Sequence, residues 1–224
     1  MTGTVPPSAY TMRPNPYVIP AGAELWRVHS AQRPAAQFNP VSVDAHFGGN
    51  RFDGTSYDPY AYLYLATDPA TALAETLLRS LDFDVESGMR LIPYAAVRGK
   101  SLSPLRARVD LPLISLITEE DLAAVCQDSW LLEADGDRYA KTRRWASEIR
   151  AQAPGAWGLV WQSRRHRPRL ASVLFEDRCV AGGGDALDMG GPGGIPELGS
   201  PSGVAELNRL LAPLRAAVVP PWPR

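Results

Sequence analysis

Hydrophobic and polar side chains alternate along much of the first half of the chain. In the run from residue 60 to residue 66, tyrosines hold every second position up to Tyr64, and Leu63 and Leu65 hold alternate positions. Tyrosines and leucines therefore face opposite sides of a predicted strand. Shorter apolar runs predict further strands at 24–28, 91–97, 111–116, 158–162 and 171–175.

Helical spacing follows the alternating run. Asp68 is a good N-cap and Pro69 suits the first helical position, after which Leu73, Leu77 and Leu81 form an apolar stripe. Because helices and strands do not alternate regularly along the chain, an α+β fold is favoured over a doubly wound sheet. Further helices are predicted at the capping-box pattern 118–121 and at the amphipathic run 139–151.

The two ends of the chain differ in composition from its middle. Residues 1–23 hold five prolines, which is typical of an extended arm that wraps the domain or stays mobile. Residues 181–203 are rich in glycine and predict a flexible linker, and leucines at helical spacing in 204–214 predict a short C-terminal helix. The core domain is therefore expected at 24–180, with the linker and helix in 181–224.

The composition is that of an ordinary globular protein. Of the 224 residues, 45% are hydrophobic, which is enough to bury a core without a disulfide or a metal, and the net charge of −1 makes direct nucleic-acid binding a poor candidate function. For Cys126 and Cys179, two free buried thiols in a reducing compartment are favoured over a disulfide. We find neither a secretory signal nor a run of about 18 apolar residues, so we expect a cytoplasmic protein without a membrane partner.

Several common classes of site are missing from the sequence. No G-x-G-x-x-G motif follows a strand, and Gly99-Lys100-Ser101 lacks the earlier glycine that a P-loop requires. There is no G-x-S-x-G elbow and no H-E-x-x-H helix. The three histidines lack ligand spacing with one another or with the cysteines, so no metal site is expected.

Two arginines stand in settings that suit a ligand. Arg27 lies in a predicted strand on the face of Leu25 and His29, where a charge needs a partner or a ligand. Arg51 follows two glycines, and its guanidinium fork can meet two phosphate oxygens at once. Each has a simpler explanation: Arg27 points to solvent or into a salt bridge, and Arg51 is an incidental residue of a surface loop.

Three further side chains are candidates. Glu75 faces away from the leucine stripe of its helix, beside Thr71 and Arg79, and an exposed ion pair with Arg79 explains it unless this helix face lines a cleft. Tyr64 fits an aromatic cross-strand ladder as well as a ring on which nicotinamide or adenine stacks. Ser163 ends a strand before a basic loop, which fits either a solvated hairpin tip or a hydroxyl held beside phosphate-binding arginines.

Taken together, four stretches resemble the RES domain, a family named for its arginine, glutamate and serine. Their order and spacing carry the resemblance, and the run LYLATDPATALAE is its strongest part. The ends, 1–23 and 181–224, lie outside it. The four stretches are LWRVHS (25–30), GGNRF (48–52), LYLATDPATALAETLL (63–78) and GLVWQSRRHRPRLASVLF (158–175).

The resemblance implies a fold and a set of site residues. The expected fold is a single α+β domain like that of ADP-ribosyltransferases, with mixed, mainly antiparallel sheets flanked by helices. Arg27, Glu75 and Ser163 occupy the three naming positions and are the implied catalytic residues. Arg51 and Tyr64 match further pocket positions, so Arg27, Arg51 and Tyr64 are the implied NAD⁺-binding residues. NAD⁺ is the implied substrate, and no metal is implied.

The family is known as the toxin half of bacterial toxin–antitoxin pairs. The resemblance therefore implies an NAD⁺-degrading toxin, a glycohydrolase or phosphorylase that cleaves the nicotinamide–ribose bond. Its implied partner is an Xre-type helix-turn-helix antitoxin. A homodimer of this chain within the toxin–antitoxin complex is compatible with the resemblance. Alternatives are a protein ADP-ribosyltransferase, acting for example on phosphoribosyl pyrophosphate synthetase, a catalytically silent binding module of the same fold, and a secreted effector.

The chain departs from the family pattern at two places. Asn50 and Phe52 flank Arg51 where the family more often shows Gly-Arg-Trp. Arg164-Arg165 follows Ser163 where a smaller residue and a single arginine are usual. Both departures bear on the acceptor of the reaction and on the docking of a partner.

Overall fold

The structure is a computed structural model that describes residues 6–181 and 186–219. Residues 1–5 of the predicted arm, 182–185 of the predicted linker and 220–224 of the tail lie outside the described residues. The strands are β1 (Pro16–Ile19), β2 (Glu24–Ser30), β3 (Tyr62–Ala66), β4 (Arg90–Pro93), β5 (Lys100–Ala107), β6 (Leu111–Leu116), β7 (Gly158–Gln162), β8 (Leu170–Phe175), β9 (Leu187–Met189) and β10 (Ala216–Val219). The helices are α1 (Pro69–Leu77), α2 (Glu119–Ala124), α3 (Trp130–Glu133), α4 (Tyr139–Gln152), α5 (Glu176–Ala181) and α6 (Pro201–Leu211).

Within the described residues, eight strands form one curled sheet in the order β1-β6-β7-β8-β3-β2-β5-β9. Neighbouring strands run antiparallel, except that β6 and β7 are parallel. Strands β4 and β10 form a separate parallel pair. The predicted fold, a single α+β domain with a mixed, mainly antiparallel sheet flanked by helices, is confirmed.

Strand β3 sends its side chains to opposite faces of the sheet, as the alternation predicts. Tyr62 and Tyr64 pack into an aromatic-rich cluster under α2 and α4. Leu63 and Leu65 belong to a cluster on the other face. A third apolar cluster lies between α1, α6 and strands β2 and β5. The candidate site lies where the first and third clusters meet, beside α1.

The N-terminal arm wraps the domain over the part of it that is described. Strand β1 extends the sheet by pairing with β6. The Met12 side chain is buried, and its backbone N–H donates to Gln152 Oε1 at the end of α4 at 2.8 Å. The prolines of residues 1–23 predict an extended arm. They do not predict strand β1, because the same proline pattern also fits a mobile segment.

The C-terminal region differs from the flexible linker that its glycine content predicted. Over residues 186–200, β9 pairs with β5, and Ile195 and Leu198 are buried in the cluster between α1 and α6. A Cβ added at Gly190 would lie 2.8 Å from Pro104, so glycine here permits a close approach of two segments. The predicted C-terminal helix is present as α6, which packs on α1.

Other sequence predictions hold with small changes. The predicted strand at 91–97 ends at Pro93, because residues 94–96 form a 3₁₀ turn. Thr118 and Asp121 form the expected capping box at the start of α2. Both cysteines are free; Cys179 is buried and Cys126 is partly exposed. None of the described helices is long and apolar enough to cross a membrane.

Candidate functional site

A glycine-led loop carries the first candidate side chains into the interior. Gly48 and Gly49 have φ angles of 64° and 68°, a left-handed backbone that glycine adopts without strain. The chain then turns inward, and Arg51 and Phe52 are 0% exposed. The hydroxyl of Thr142 on α4 donates to the Arg51 carbonyl at 2.8 Å and holds the loop in place. Arg51 is therefore part of the interior and is not an incidental surface residue.

Tyr64 fixes the same loop through its hydroxyl. The phenol donates a hydrogen bond to Asp53 Oδ1 at 2.9 Å and accepts one from the Phe52 backbone N–H at 3.0 Å. Burial raises the pKa of the Tyr64 phenol well above its ordinary value, and the Asp53 charge raises it further. The hydroxyl is thus neutral and committed to the loop, so the ring is the part of Tyr64 that remains available to a ligand.

Arg51 is a buried charge without a partner. Its Nε, Nη1 and Nη2 atoms make no hydrogen bond with any described residue. Burial and the neighbouring charge of Arg79 lower its pKa to about 10, so the guanidinium stays protonated at neutral pH. The charge of Glu75 acts in the opposite direction and raises the pKa of Arg51. Because an unpaired charge is costly to remove from water, this position favours an anionic ligand.

Helix α1 presents Glu75 on the side opposite its leucines. The carboxylate of Asp68 caps the helix by accepting the Thr71 N–H at 2.9 Å, and Leu73 and Leu77 are buried, as the sequence predicts. The opposite side of the helix is not simply solvated. Thr71 is 0% exposed there, and its hydroxyl lies 2.8 Å from Nδ1 of a histidine in the 163–169 loop. Glu75 therefore lies at a packed helix face.

Ser163 holds the carboxylate of Glu75. Its Oγ donates to Glu75 Oε1 at 2.7 Å, and the Arg164 backbone N–H donates to the same oxygen at 3.2 Å. The Arg165 guanidinium ties the loop to the helix by donating to two carbonyls at the end of α1. Since Ser163 is 0% exposed, it acts on a ligand only through Glu75 in this structure. The simpler explanation, a solvated hairpin tip, does not describe Ser163.

Tyr64 and Glu75 line one cleft of about 580 Å³, a volume in the range of small-molecule sites. Arg79 and Tyr139 also line it, and Val28 contributes to its apolar part. Arg51 and Ser163 lie behind this lining, within reach of the groups that form it. The cleft thus combines an aromatic ring, a fixed carboxylate and two guanidinium groups, which suits a ligand that carries an anionic part and a flat ring.

The structure does not bring Arg27 to this cleft. Val28 lines the cleft, and the neighbouring side chain on a strand points to the other face of the sheet. There the Arg27 guanidinium donates to the carbonyls of Ala35 and Gln37. Burial, followed by the charge of Arg33, lowers its pKa to about 10. The partner that a half-buried arginine needs is therefore supplied by backbone carbonyls of the 31–39 loop.

Three residues near the cleft were not singled out from the sequence. Asp53 anchors Tyr64, and its Oδ2 accepts the Asn50 N–H at 2.7 Å. Arg79 was interpreted only as a surface partner of Glu75. Tyr139 was only the first residue of a predicted helix. Each of these residues either lines the cleft or holds a residue that lines it, through contacts between segments far apart in sequence. A local sequence pattern does not predict such contacts.

Comparison with known proteins agrees with this arrangement. Residues 24–186 match the family model described as the RES domain. The chain belongs to the RES domain family. The RES domain thus spans the sheet from β2 to β8, helix α1 and the whole of the cleft, whereas β1, β9, α6 and β10 add to it from outside.

The fold of this RES domain is also found in a solved structure. A chain of the crystal structure of the M. tuberculosis MbcT–MbcA toxin–antitoxin complex superimposes with a TM-score of 0.55 and 14% sequence identity, covering 87% of this chain and 92% of that chain. At this identity the likeness is one of fold. No protein in the curated comparison set matches the chain.

Proposed function

We propose that the cleft binds NAD⁺ and cleaves the bond between nicotinamide and ribose, so that the chain is an NAD⁺-consuming enzyme. The observation that carries this proposal is the pairing, at one cleft, of the fixed carboxylate of Glu75 with the buried, unpaired charge of Arg51. NAD⁺ has the matching parts, a pyrophosphate anion and a glycosidic bond whose cleavage develops positive charge on the ribose.

Arg51 supplies the charge for the pyrophosphate. The guanidinium group of Arg51 is already desolvated in the folded protein. Binding of the anion therefore does not include the free-energy cost of removing water from this group. Arg51 is 0% exposed and does not line the cleft, so in this structure it acts on the anion through its charge.

Glu75 stabilises the transition state of bond cleavage. As the nicotinamide leaves, the ribose becomes oxocarbenium-like, and a carboxylate held in place before the reaction lowers the barrier without having to reorganise. A second possible role of the Glu75 carboxylate is to accept a hydrogen bond from the ribose 2′-hydroxyl in the transition state. Ser163 is a positioning residue in this proposal, because its hydroxyl orients Glu75 and is itself covered.

Tyr64 provides the flat surface for nicotinamide. Its hydroxyl is engaged with Asp53 and the Phe52 backbone, so the ring is held at a fixed angle in the cleft. A rigid aromatic wall favours stacking of another flat ring. Arg27 is given no part in the binding step, because Val28 and not Arg27 lines the cleft, and Nη1 of Arg27 donates to carbonyls of the 31–39 loop.

The biological role we propose is that of a toxin that depletes NAD⁺ in the cytoplasm until a cognate antitoxin, an Xre-type helix-turn-helix protein, blocks it. Membership in the RES domain family and the fold shared with a chain of a toxin–antitoxin complex support this role. Expression of the chain alone is expected to stop growth. The adjacent gene is expected to encode a small helix-turn-helix protein, and co-expression with that protein is expected to restore growth. Growth unaffected by expression of a folded, soluble chain would count against the role of toxin.

The direct test is the release of nicotinamide from NAD⁺ by the purified protein. Three arms identify the acceptor: buffer alone for water, added inorganic phosphate for a phosphorylase, and labelled NAD⁺ with candidate proteins for a transferase. Consumption in any arm supports bond cleavage. If the folded protein neither binds nor consumes NAD⁺ in all three arms, the proposal is wrong and a silent binding module of this fold is favoured.

A further inference from the structure

Arg79 lies on the wall of the cleft one helical turn beyond Glu75. No described residue forms a hydrogen bond or ion pair with its side chain, and its Nε atom is buried. Its guanidinium packs over the ring of Tyr139, with the Cζ atom 4.9 Å from the ring centroid. Such stacking uses the face of the guanidinium and leaves the N–H donors at its edge free for other partners.

The expected ion pair between Glu75 and Arg79 does not form. Oε1 of Glu75 instead accepts hydrogen bonds from Ser163 Oγ and from the Arg164 N–H. Helical spacing alone would favour the pair, since residues four apart are neighbours on a helix surface. The loop that covers α1 thus takes the carboxylate and leaves Arg79 without its nearest anion.

A second arginine, Arg51, lies covered behind the lining of the cleft that Arg79 lines. The three guanidinium nitrogens of Arg51 are buried without a hydrogen bond to any described residue, and the charge of Arg79 lowers the pKa of Arg51. Glu75 offsets only one of the two charges. Asp53, another carboxylate near the cleft, accepts hydrogen bonds from Tyr64 and the Asn50 N–H. Neither Arg51, which is covered, nor Arg79, which is half-buried, is therefore hydrogen-bonded to an anion among the described residues.

We propose that Arg79 is the ligand of a subsite for a pyrophosphate-type anion, and that the covered charge of Arg51 attracts the anion from behind the lining of the cleft. The identification of this anion with the pyrophosphate of a dinucleotide rests on the proposed function. Because Arg51 is fully covered, an anion entering the cleft meets Arg79 first. Tyr139 is a positioning residue that keeps the guanidinium of Arg79 facing the cleft.

The test is the binding of inorganic pyrophosphate to the full chain, measured by isothermal titration calorimetry at two salt concentrations. Arg79→Met keeps the length and the apolar stem of the side chain but removes its donors. We expect this variant to bind pyrophosphate about ten- to hundredfold more weakly, because a charged hydrogen bond is lost. Arg79→Lys keeps the positive charge but not the guanidinium fork. Its affinity for pyrophosphate is expected to lie between that of the parent and that of Arg79→Met.

The matched control is Arg106→Met, since Arg106 is an exposed arginine of β5 away from the cleft. It is expected to bind pyrophosphate as the parent does. A second readout is nicotinamide riboside, which lacks phosphate, and its affinity is expected to be the same in the parent and in Arg79→Met. Thermal melting of each variant establishes that it is folded before its affinity is compared.

The possible outcomes separate this subsite from the proposed function. Arg79-dependent pyrophosphate binding supports the subsite even if the parent consumes no NAD⁺, in which case only the proposed function fails. Equal affinity of the parent and Arg79→Met overturns the role of Arg79 even if NAD⁺ is consumed. A parent that binds no pyrophosphate overturns the subsite outright.

Discussion

Ser163 Oγ donates a hydrogen bond to Glu75 Oε1 at 2.7 Å, which joins the end of β7 to α1 across 88 residues of sequence. The serine is fully covered and the glutamate lines the cleft. This hydrogen bond orients the carboxylate on which the proposed chemistry depends.

Replacing this serine is expected to impair turnover more than binding. In Ser163→Ala, Oε1 of Glu75 keeps only the hydrogen bond from the Arg164 N–H. We expect kcat for nicotinamide release to fall about ten- to hundredfold, because that factor corresponds to the free energy of one hydrogen bond to a charged group. KM is expected to stay near the parent value, because Ser163 does not line the cleft. Steady-state kinetics of nicotinamide release measure both constants.

Ser115→Ala is the matched control. Ser115 is also a buried serine whose hydroxyl donates to a carboxylate, that of Asp121, away from the cleft. Both variants are expected to melt at a lower temperature, and only Ser163→Ala is expected to lose turnover per folded molecule. Equal turnover in the two variants would contradict the positioning role of Ser163.

Removing the unpaired charge of Arg51 is expected to stabilise the fold while it abolishes binding. Arg51→Met replaces a buried cation without hydrogen bonds by an apolar side chain of similar length, and we expect the free energy of unfolding to rise by about 1–4 kcal/mol. Chemical denaturation measures the change, and calorimetry measures the loss of pyrophosphate binding.

Arg143→Met is the control for this prediction. Arg143 is equally buried, but it donates to the carbonyls of Gly48, Asn50 and Asp44. Its loss leaves those carbonyls unsatisfied, so Arg143→Met is expected to destabilise the protein. The account of Arg51 is wrong if both variants destabilise the fold to a similar extent.

Arg27 is expected to act on the fold and not on the ligand. In Arg27→Met, the carbonyls of Ala35 and Gln37 lose their donor, so we expect the free energy of unfolding to fall by about 1–3 kcal/mol. The affinity for pyrophosphate is expected to stay at the parent value. A variant that melts like the parent but binds pyrophosphate weakly would show that Arg27 reaches the ligand after all.

Acid is expected to weaken the attachment of the N-terminal arm. Burial raises the pKa of Asp121, but hydrogen bonds from Ser115, Asn15 and two backbone N–H groups outweigh it, and the pKa lies below its ordinary value of 3.8. The carboxylate therefore contributes stability above pH 3.8 that is lost as the pH falls through its lower value in the folded state.

Melting curves across this acid range test the contribution of Asp121. The parent is expected to be more stable than Asp121→Asn above pH 3.8, and the difference is expected to shrink as the pH falls further. Asp137→Asn, at an exposed position, is the control and is expected to follow the parent. A difference between the parent and Asp121→Asn that is constant with pH would contradict this assignment.

Dense apolar runs made part of the fold predictable from the sequence. Strands β6 and β7 have the predicted bounds. Strand β5 was missed, because Pro104 and two serines break its pattern. It forms nonetheless, since β2 and β9 pair with it on both sides. In the C-terminal region, composition alone could not distinguish glycines that flex from glycines that allow close packing.

The candidate site was predictable as a set of residues but not as a geometry. Glu75 and Ser163 were proposed from a family pattern, and their hydrogen bond depends on the 163–169 loop folding over α1. Arg79 was assigned to a surface pair because helical spacing ignores that loop. Arg27 was placed with the others because sequence order does not show which face of the curled sheet the cleft occupies.

Glu75 is the residue on which the proposed chemistry depends most. The most direct measurement of its role is nicotinamide release from NAD⁺ by the parent and by Glu75→Gln. Glutamine keeps the size of the side chain and an oxygen for Ser163 but removes the negative charge. Glu206→Gln, at a partly exposed glutamate of α6 that is paired with Arg209 and lies outside the cleft lining, is the control. The account predicts that the parent and the control release nicotinamide and that Glu75→Gln is slower by about a hundredfold or more. Release at the parent rate by a folded Glu75→Gln would contradict it.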